Sequence, residues 1–302
     1  MSKKSKNRPV SVPENDFEIN QRTLFEKLRL FSLSLCRGKR FFLLLLGIVL
    51  LAFILRLLVC LELFNTGAVQ NPLIETDMAT YKRLALEIRS GKFPEFFDYQ
   101  PFYYCVFLPI LFLFSPAGSP FLVMLAQCIL AAAAVWLCGI CAAQLFGRRA
   151  GCLAALLLAL SQFHIFYTPY MLLEVLQSFW MILILYASLL AWRQNKLYQW
   201  VFLALFCSFS TLTRGNALLF VPGILFLCIY RNRDRALRAT ALCVIFLCLF
   251  YIPQLPFSWK NYQHFGRWRG PSCAQDKVLA LGNSPEAAAG GLEYPRSYHH
   301  WV

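Results

Sequence analysis

Long apolar runs alternate with short polar turns along most of the sequence. The first run covers residues 41–63, and six more cover residues 121–146, 152–167, 172–192, 197–212, 217–230 and 239–257. A helix needs roughly 20 mostly apolar residues to cross the hydrocarbon core of a bilayer. The pattern therefore predicts an all-α, polytopic membrane protein with about seven transmembrane helices and a large first exterior loop.

One further apolar run, residues 101–114, decides the topology. It is shorter than the roughly 20 residues that a span requires, so we expect a re-entrant or interfacial helix. With this run left out, each inward span ends on basic residues, as at Arg148 and Arg149, at Arg193, and over residues 231–238. Cytoplasmic loops of membrane proteins carry such an excess of Lys and Arg. The N-terminus is therefore predicted to be cytoplasmic.

This topology divides the chain into five segments. Residues 1–40 are predicted to form a cytoplasmic basic arm, with an amphipathic helix over residues 24–35. Residues 41–63 form the first transmembrane helix, residues 64–120 an exterior catalytic loop with the re-entrant or interfacial helix, residues 121–257 a six-helix transmembrane bundle, and residues 258–302 an exterior C-terminal segment.

Composition supports a membrane class and argues against nucleic acid as a partner. Of the 302 residues, 59% are hydrophobic and 15% are charged, whereas a soluble domain has about 25% charged residues. The net charge of +14 lies largely in the N-terminal arm and the short loops, where it favours contact with anionic lipid. Most of the 12 cysteines lie in apolar runs and show no spacing typical of a metal site.

A polar stretch after the first span carries the strongest candidate chemistry. It reads Glu75-Thr76-Asp77-Met78-Ala79-Thr80-Tyr81, and Asp77, Tyr81 and Ala85 are four residues apart. Residues with this spacing share one face of a helix, which Thr76 or Glu75 could cap. Asp77 then either complements the dipole of the helix or acts in catalysis as a general base.

Four further side chains are candidates for a site. Glu174 opens the fourth predicted span at its exterior mouth, and Arg214 stands at an exterior helix end, where isolated arginine is disfavoured. Lys260 follows the last span, with Arg267 as an alternative. Arg56 lies within the first span, where a cation is costly unless it is paired or functional. We expect it to pair with Glu62 or with Glu174, or else to contact a phosphate.

The motifs around these residues resemble those of GT-C glycosyltransferases, and are most similar to the protein O-mannosyltransferase and lipid A aminoarabinose transferase group. The similar stretches, in chain order, are Asp77-x-x-x-Tyr81-x-x-x-Ala85, Gln100-Pro101-Phe102-Tyr103-Tyr104, Phe146-Gly147-Arg148-Arg149-Ala150-Gly151, Leu173-Glu174 with Phe179-Trp180, Leu212-Thr213-Arg214, and Trp259-Lys260-Asn261-Tyr262 with Phe265-Gly266. Two departures concern the site: Met78 follows Asp77 where an acid is frequent, and Gly215 follows Arg214 where proline is usual.

The resemblance implies transfer of a sugar from a polyprenyl-phosphate donor to a hydroxyl of a lipid, glycan or protein, with inversion. Asp77 would be the base and Glu174 a second acid, while Arg214, Lys260 or Arg56 would contact the phosphate. Tyr81 and Tyr103 belong to aromatic residues that either line the substrate site or form an interfacial belt. No cofactor is certain; two exterior acids could also hold a divalent metal.

Two other functions stay open at this stage. A transporter or flippase of lipid-linked substrates would place its binding groups near the middle of the membrane. An inactive or truncated GT-C subunit would account for the departures from the motifs. The chain contains no Asn-x-Ser/Thr acceptor, which favours the bacterial inner membrane over a eukaryotic compartment.

Overall fold

Helices account for all of the regular structure in the part of the chain that the computed structural model describes, namely residues 38–67, 69–73, 76–115 and 118–273. The α-helices are α1 (Lys39–Asn65), α2 (Asp77–Arg89), α3 (Leu108–Leu113), α4 (Pro120–Phe146), α5 (Arg148–Ala159), α6 (Gln162–Phe166), α7 (Glu174–Gln194), α8 (Leu197–Thr213), α9 (Phe220–Arg231), α10 (Ala236–Tyr251) and α11 (Leu255–Phe265). The predicted basic arm with its amphipathic helix, and residues 274–302, lie outside the described residues.

Four helical segments are long and apolar enough to cross a membrane. They are α1 and α4, with 27 residues each, α7, with 21 residues, and the continuous run Ala236–Phe265, with 30 residues. In the bundle, α4 packs against α1, α5 and α7, while α8 packs against α7 and α10. The outward faces of α1 and α9 expose large apolar side chains, as lipid-facing helices do. The predicted all-α, polytopic membrane class is confirmed.

The remaining predicted spans are shorter or interrupted. Leu197–Thr213 and Gly215–Arg231 are apolar helices below the usual length of a span. The predicted span over residues 152–167 is broken, since α5 ends at Ala159 and Ser161 is extended before α6 begins. The count of seven spans therefore stays a prediction.

The short apolar run over residues 101–114 forms a bent helix. Five residues of π-helix, Tyr103–Phe107, lead into the 6-residue helix α3. At 1.5 Å per residue such a helix reaches only about half of the way across a hydrocarbon core. Its length agrees with the expected re-entrant or interfacial helix.

Two glycines allow α4 and α5 to approach with their backbones in contact. A Cβ atom at Gly151 would lie 2.6 Å from the backbone oxygen of Gly139, and a Cβ atom at Gly139 would lie 3.2 Å from the Cβ atom of Ala155. Small residues permit such close packing between helices in membranes. The short turn at Gly147 then places α5 directly along α4.

Gly151→Ala should destabilise the bundle, because its Cβ atom meets a backbone oxygen that cannot rotate away. Overpacking of this kind costs about 1–3 kcal/mol. Thermal unfolding in detergent should show a lower midpoint for this variant than for the wild type. Gly223→Ala is the matched control, since nothing lies within 4 Å of its Cβ position. Equal midpoints for the two variants would contradict the close contact of α4 and α5.

The predicted topology can be tested at two exposed positions, Ser90 at the C-terminal end of α2 and Arg148 at the N-terminal end of α5. Cysteine at Ser90, just after α2, should react with an impermeant thiol reagent from outside intact cells. Cysteine at Arg148, at the start of α5, should react only after the membrane is opened. The wild type, which has 12 native cysteines, supplies the background. The reverse pattern would overturn the assignment of residues 101–114.

Candidate functional site

Helix α2 exposes Asp77 at its start and buries the residues that follow it on the same face. Thr76 is the cap, because its Oγ1 atom accepts a hydrogen bond from the backbone N–H of Ala79 at 3.4 Å. Glu75, the other cap considered, lies outside the described residues. Asp77 occupies the first turn, where a carboxylate interacts favourably with the helix dipole. Tyr81 and Ala85 are buried, so only the acidic end of the predicted face is accessible.

The ring of Tyr81 holds α2 against the loop that follows it. Its centroid lies 5.7 Å from that of Tyr99 and 5.5 Å from that of Tyr103 in edge-to-face contacts, and it stacks on Tyr104 at 6.2 Å. Aromatic pairs in these geometries each contribute about 0.5–1.5 kcal/mol beyond their buried area. This cluster therefore fixes the position of Asp77 relative to the rest of the bundle.

Glu174 and Arg214 meet at one end of the bundle. Glu174 begins α7, and Arg214 follows the last residue of α8 in an extended conformation. A guanidinium nitrogen of Arg214 lies 3.4 Å from Oε1 of Glu174, with the two side chains 52% and 33% exposed, respectively. Oε2 of Glu174 is buried without a partner among the described residues. The pair is accessible and only partly satisfied.

The electrostatics at Tyr81 bring Asp77, Glu174 and Arg214 together. Burial raises the pKa of Tyr81 above its ordinary value, and the negative charges of Asp77 and Glu174 raise it further, while Arg214 opposes them. All three charges therefore influence the same buried phenol. A tyrosine keeps its proton at neutral pH even at its ordinary pKa, and the raised pKa extends that range, so the hydroxyl stays a hydrogen-bond donor.

Lys260 lies on the far side of the loop, on α11. Its Nζ atom is 5.6 Å from the ring centroid of Phe93 and 5.9 Å from that of Phe97. The next residue, Asn261, is fully buried and joins two segments. Its Oδ1 atom accepts from the N–H of Phe97 in the loop at 2.7 Å, and its Nδ2 atom donates to the carbonyl of Gly270, after α11, at 2.9 Å. Lys260 is therefore held beside the loop that follows α2, the helix that carries Asp77.

The expected pairing of Arg56 is wrong. Among the described residues it contacts neither Glu62 nor Glu174, but donates to the backbone carbonyls of Leu158 and Ala159, at 3.1 and 3.0 Å. Those carbonyls belong to the end of α5, where the helix breaks and its last C=O groups lack partners within the helix. A buried arginine supplies several donors in one fork and satisfies them.

Arg56 also reaches α7 through a histidine. It donates to Nδ1 of His164 at 3.1 Å, so the ring proton must be on Nε2, which then donates to Oγ of Ser178 at 2.8 Å. Ser178 lies one helical turn after Glu174. The network therefore supports the end of α7 that carries the acid, and it leaves the predicted contact of Arg56 with a phosphate without structural support.

Tyr103 is likewise a supporting residue rather than an exposed one. It is fully buried, and its hydroxyl donates to Oε1 of Gln127 at 3.2 Å. The amide of Gln127 donates in turn to the carbonyls of Thr168 and Tyr170, at 2.8 and 2.7 Å. Sequence reasoning missed Gln127 and the supporting roles of Asn261, which it named only within a motif, and of His164. The available signal was that each is a polar residue in or beside an apolar run.

The described residues do not assemble an evident metal site. Asp77 and Glu174 were the acids considered for a divalent ion, but no three His, Cys, Asp or Glu side chains in the described ranges come together as ligands. Glu174 already contacts a cation, Arg214. A divalent metal at this site therefore stays a prediction.

Comparison with known proteins gives one match. The sequence profile of the family described as dolichyl-phosphate-mannose-protein mannosyltransferase matches residues 101–257, which is just over half of the chain. The matched range includes Glu174 and Arg214 and ends before Lys260, while Asp77 precedes it. No curated protein and no solved structure is significantly similar to the chain.

The Glu174–Arg214 pair should matter little for stability. Pairs this exposed contribute about 0.2–1 kcal/mol. Arg214→Gln and Glu174→Gln should therefore unfold within a few degrees of the wild type in detergent. Gln127→Leu removes a buried amide that donates to two carbonyls and accepts from Tyr103, so it should unfold at a clearly lower temperature. A large loss of stability in Arg214→Gln would instead assign the pair a structural role.

Proposed function

The chain belongs to the dolichyl-phosphate-mannose-protein mannosyltransferase family, and on this premise we propose that it transfers a sugar from a polyprenyl-phosphate donor to an acceptor hydroxyl. Membership makes it a membrane glycosyltransferase of the GT-C type. The observation that carries the finer proposal is the accessible Glu174–Arg214 pair, at 3.4 Å, together with the exposed Asp77 at the start of α2. An accessible base and an accessible cation suit an attack by a hydroxyl and the departure of a phosphate.

Asp77 acts as the general base in this proposal. The acceptor oxygen forms a bond to the anomeric carbon while the bond from that carbon to the phosphate oxygen breaks, which inverts the configuration. The hydroxyl proton moves to the carboxylate of Asp77. Asp77 is exposed at the start of α2 and is held in place by the Tyr81 cluster, so an acceptor can approach it. A positioned base of this kind contributes about 10²–10⁴-fold to the rate.

Arg214 stabilises the leaving group. The electron pair of the broken bond stays on the polyprenyl phosphate, whose negative charge increases in the transition state. Arginine binds phosphate through parallel N–H donors, and its guanidinium here is half exposed. Glu174 orients Arg214 through their hydrogen bond, and its unpartnered Oε2 can accept from a sugar or acceptor hydroxyl. Lys260 is placed to supply a second positive charge from the other side of the loop.

The remaining predicted binding residues are buried and support the residues of the site. Tyr81 supports Asp77 from a buried position on the same helix. Tyr103 and Arg56 secure the loop and the end of α7 through Gln127 and His164. The lipid chain of the donor would lie along the exposed apolar faces of the bundle. The acceptor is a lipid, glycan or protein, and the site is proposed to face the periplasm of a bacterial inner membrane, with the N-terminus in the cytoplasm.

Asp77→Asn should reduce sugar transfer by about 10²–10⁴-fold, because the amide cannot accept the proton. The measurement is release of radiolabelled sugar from a panel of polyprenyl-phosphate sugars in membranes that contain the variant. Glu87→Gln is the matched control, since Glu87 lies on the same helix and its side chain pairs with exposed Arg83 at 3.0 Å. Near-wild-type transfer by Asp77→Asn would remove Asp77 as the base.

If the wild type itself transfers no sugar from any donor, with insertion confirmed, the alternatives of an inactive subunit or a flippase replace the proposal. Movement of a labelled lipid-linked sugar across the membrane, without transfer, would support the flippase.

Arg214→Gln should lower the rate of transfer by about 10²–10³-fold, the cost of removing one charge-stabilising donor. Arg214→Lys should recover part of this loss, because it restores the charge but not the paired donors. Lys260→Gln, measured alongside, should show the smaller effect of a second cation. Arg214→Gln that binds donor normally and turns it over at the wild-type rate would contradict the assigned role.

A further inference from the structure

The end of the bundle opposite to Glu174 carries a dense group of arginines. Arg193 lies in the last turn of α7, Arg231 ends α9, and the turn from α9 to α10 contributes Arg233 and Arg235, followed by Arg238 in the first turn of α10. These five side chains, here called the arginine cluster, come from two separate parts of the chain. One acid, Asp234, lies among them.

A rigid polar floor underlies the arginine cluster. Asn195 ends α7 in the left-handed conformation and donates through Nδ2 to Oδ1 of Asn232, at 2.8 Å; Oδ1 of Asn195 accepts from the indole of Trp200 at 3.0 Å. Arg238 donates to the carbonyl of Asn195 at 2.6 Å. Asn232 is buried. The turns that carry the cluster are therefore fixed to each other.

Two neighbouring cavities open between these side chains. One, of about 410 Å³, is lined by Arg193, Arg231, Arg233 and the aromatic residues Trp192 and Tyr230. The other, of about 430 Å³, is lined by Arg231, Arg235 and Arg238, together with Asn195 and Asn232 of the polar floor. Arg231 and Asp234 line both cavities. Cavities of this size accept small ligands.

The walls of the first cavity combine charge with an apolar surface. The rings of Trp192 and Tyr230 stack with centroids 6.0 Å apart, and the guanidinium of Arg233 lies 5.3 Å above the ring of Tyr230. Phe226, one turn before Tyr230, is exposed and extends this surface along α9. A molecule that fills the cavity with an anionic group can thus lay an acyl chain against the helix.

The excess of positive charge in the arginine cluster favours an anionic ligand. Asp234 is 92% exposed at its side chain and lies 3.9 Å from Arg233, a separation and exposure at which it neutralises little of the cluster. Arg231 uses one N–H on the carbonyl of Trp192, at 2.8 Å, and a guanidinium has four more. Phosphate is the anion that best matches such forks.

We propose that the arginine cluster binds the phosphate-bearing headgroup of an anionic phospholipid, at the end of the bundle away from the transfer site. The headgroup occupies the cavity between Arg193, Arg231 and Arg233, and its acyl chain lies on Tyr230 and Phe226. The second cavity gives Arg231, Arg235 and Arg238 a place for a second phosphate oxygen or a second headgroup. Basic pockets between membrane helices are typical binding sites for lipid headgroups.

Native mass spectrometry of the purified full chain, with phosphatidylglycerol or phosphatidylcholine added, tests this proposal. The wild type should retain phosphatidylglycerol in preference to phosphatidylcholine. Each arginine removed, in Arg231→Gln and separately in Arg235→Gln, should weaken retention by about fivefold. Arg235 is exposed in a turn, so its variant remains informative even if Arg231→Gln fails to fold.

The matched control is Arg148→Gln with Arg149→Gln, which removes two charges at the same end of the bundle from a turn that lines neither cavity. The control should retain phosphatidylglycerol as the wild type does. Equal loss in the control would show general attraction of basic residues and overturn the proposal. Displacement of the lipid by inorganic phosphate at an equal concentration would also overturn it, since the site would then recognise a free anion.

Discussion

The arrangement of this bundle depends on how buried side chains satisfy the backbone carbonyls at its broken helices. Water is absent from a membrane interior, so each carbonyl that a helix end leaves free must find a protein donor. Arg56 serves the end of α5, and Gln127 serves the segment between α6 and α7. Because these donors stand on the long helices α1 and α4, the irregular segment is fixed to the most regular part of the molecule.

The candidate site inherits its order from that support. Glu174 follows directly from the segment that Gln127 holds, and Ser178, one turn later, accepts from His164. On the other side, Asn261 ties the loop after α2 to α11, and the tyrosine cluster ties α2 to that loop. The accessible groups Asp77 and Arg214 are thus placed by buried ones. A phosphate can bind further N–H donors of Arg214 while Glu174 holds one of them, without disturbing this frame.

The two ends of the bundle use arginine differently. At the proposed site of transfer, Arg214 is accompanied by the acids Glu174 and Asp77. This surrounding suits a negative charge that develops only during a reaction. The arginine cluster is concentrated and nearly unopposed, which suits a permanent anion. The same residue type therefore has a different consequence at each end because the surrounding charges differ, and sequence position alone does not reveal this.

Periodicity and capping were sufficient to predict α2 and the shared face of Tyr81 and Ala85, and to narrow the cap to Thr76 or Glu75, since these depend on neighbouring residues. The pairing of Glu174 with Arg214 was not predictable, because it joins the start of one helix to the end of another. Arg56 was expected to pair with an acid. The break that supplies its carbonyl partners lies at Ser161 and Gln162, two polar residues that were predicted to be part of one apolar span. Gln127 was hidden for the same reason.

A structure determined with polyprenyl phosphate bound would test the central claim most directly. The account predicts a phosphate oxygen within hydrogen-bond distance of the Arg214 guanidinium, with the carboxylate of Asp77 open to an acceptor beside it. A phosphate bound away from Arg214 and Asp77, for example at the arginine cluster alone, would contradict the proposed site of transfer.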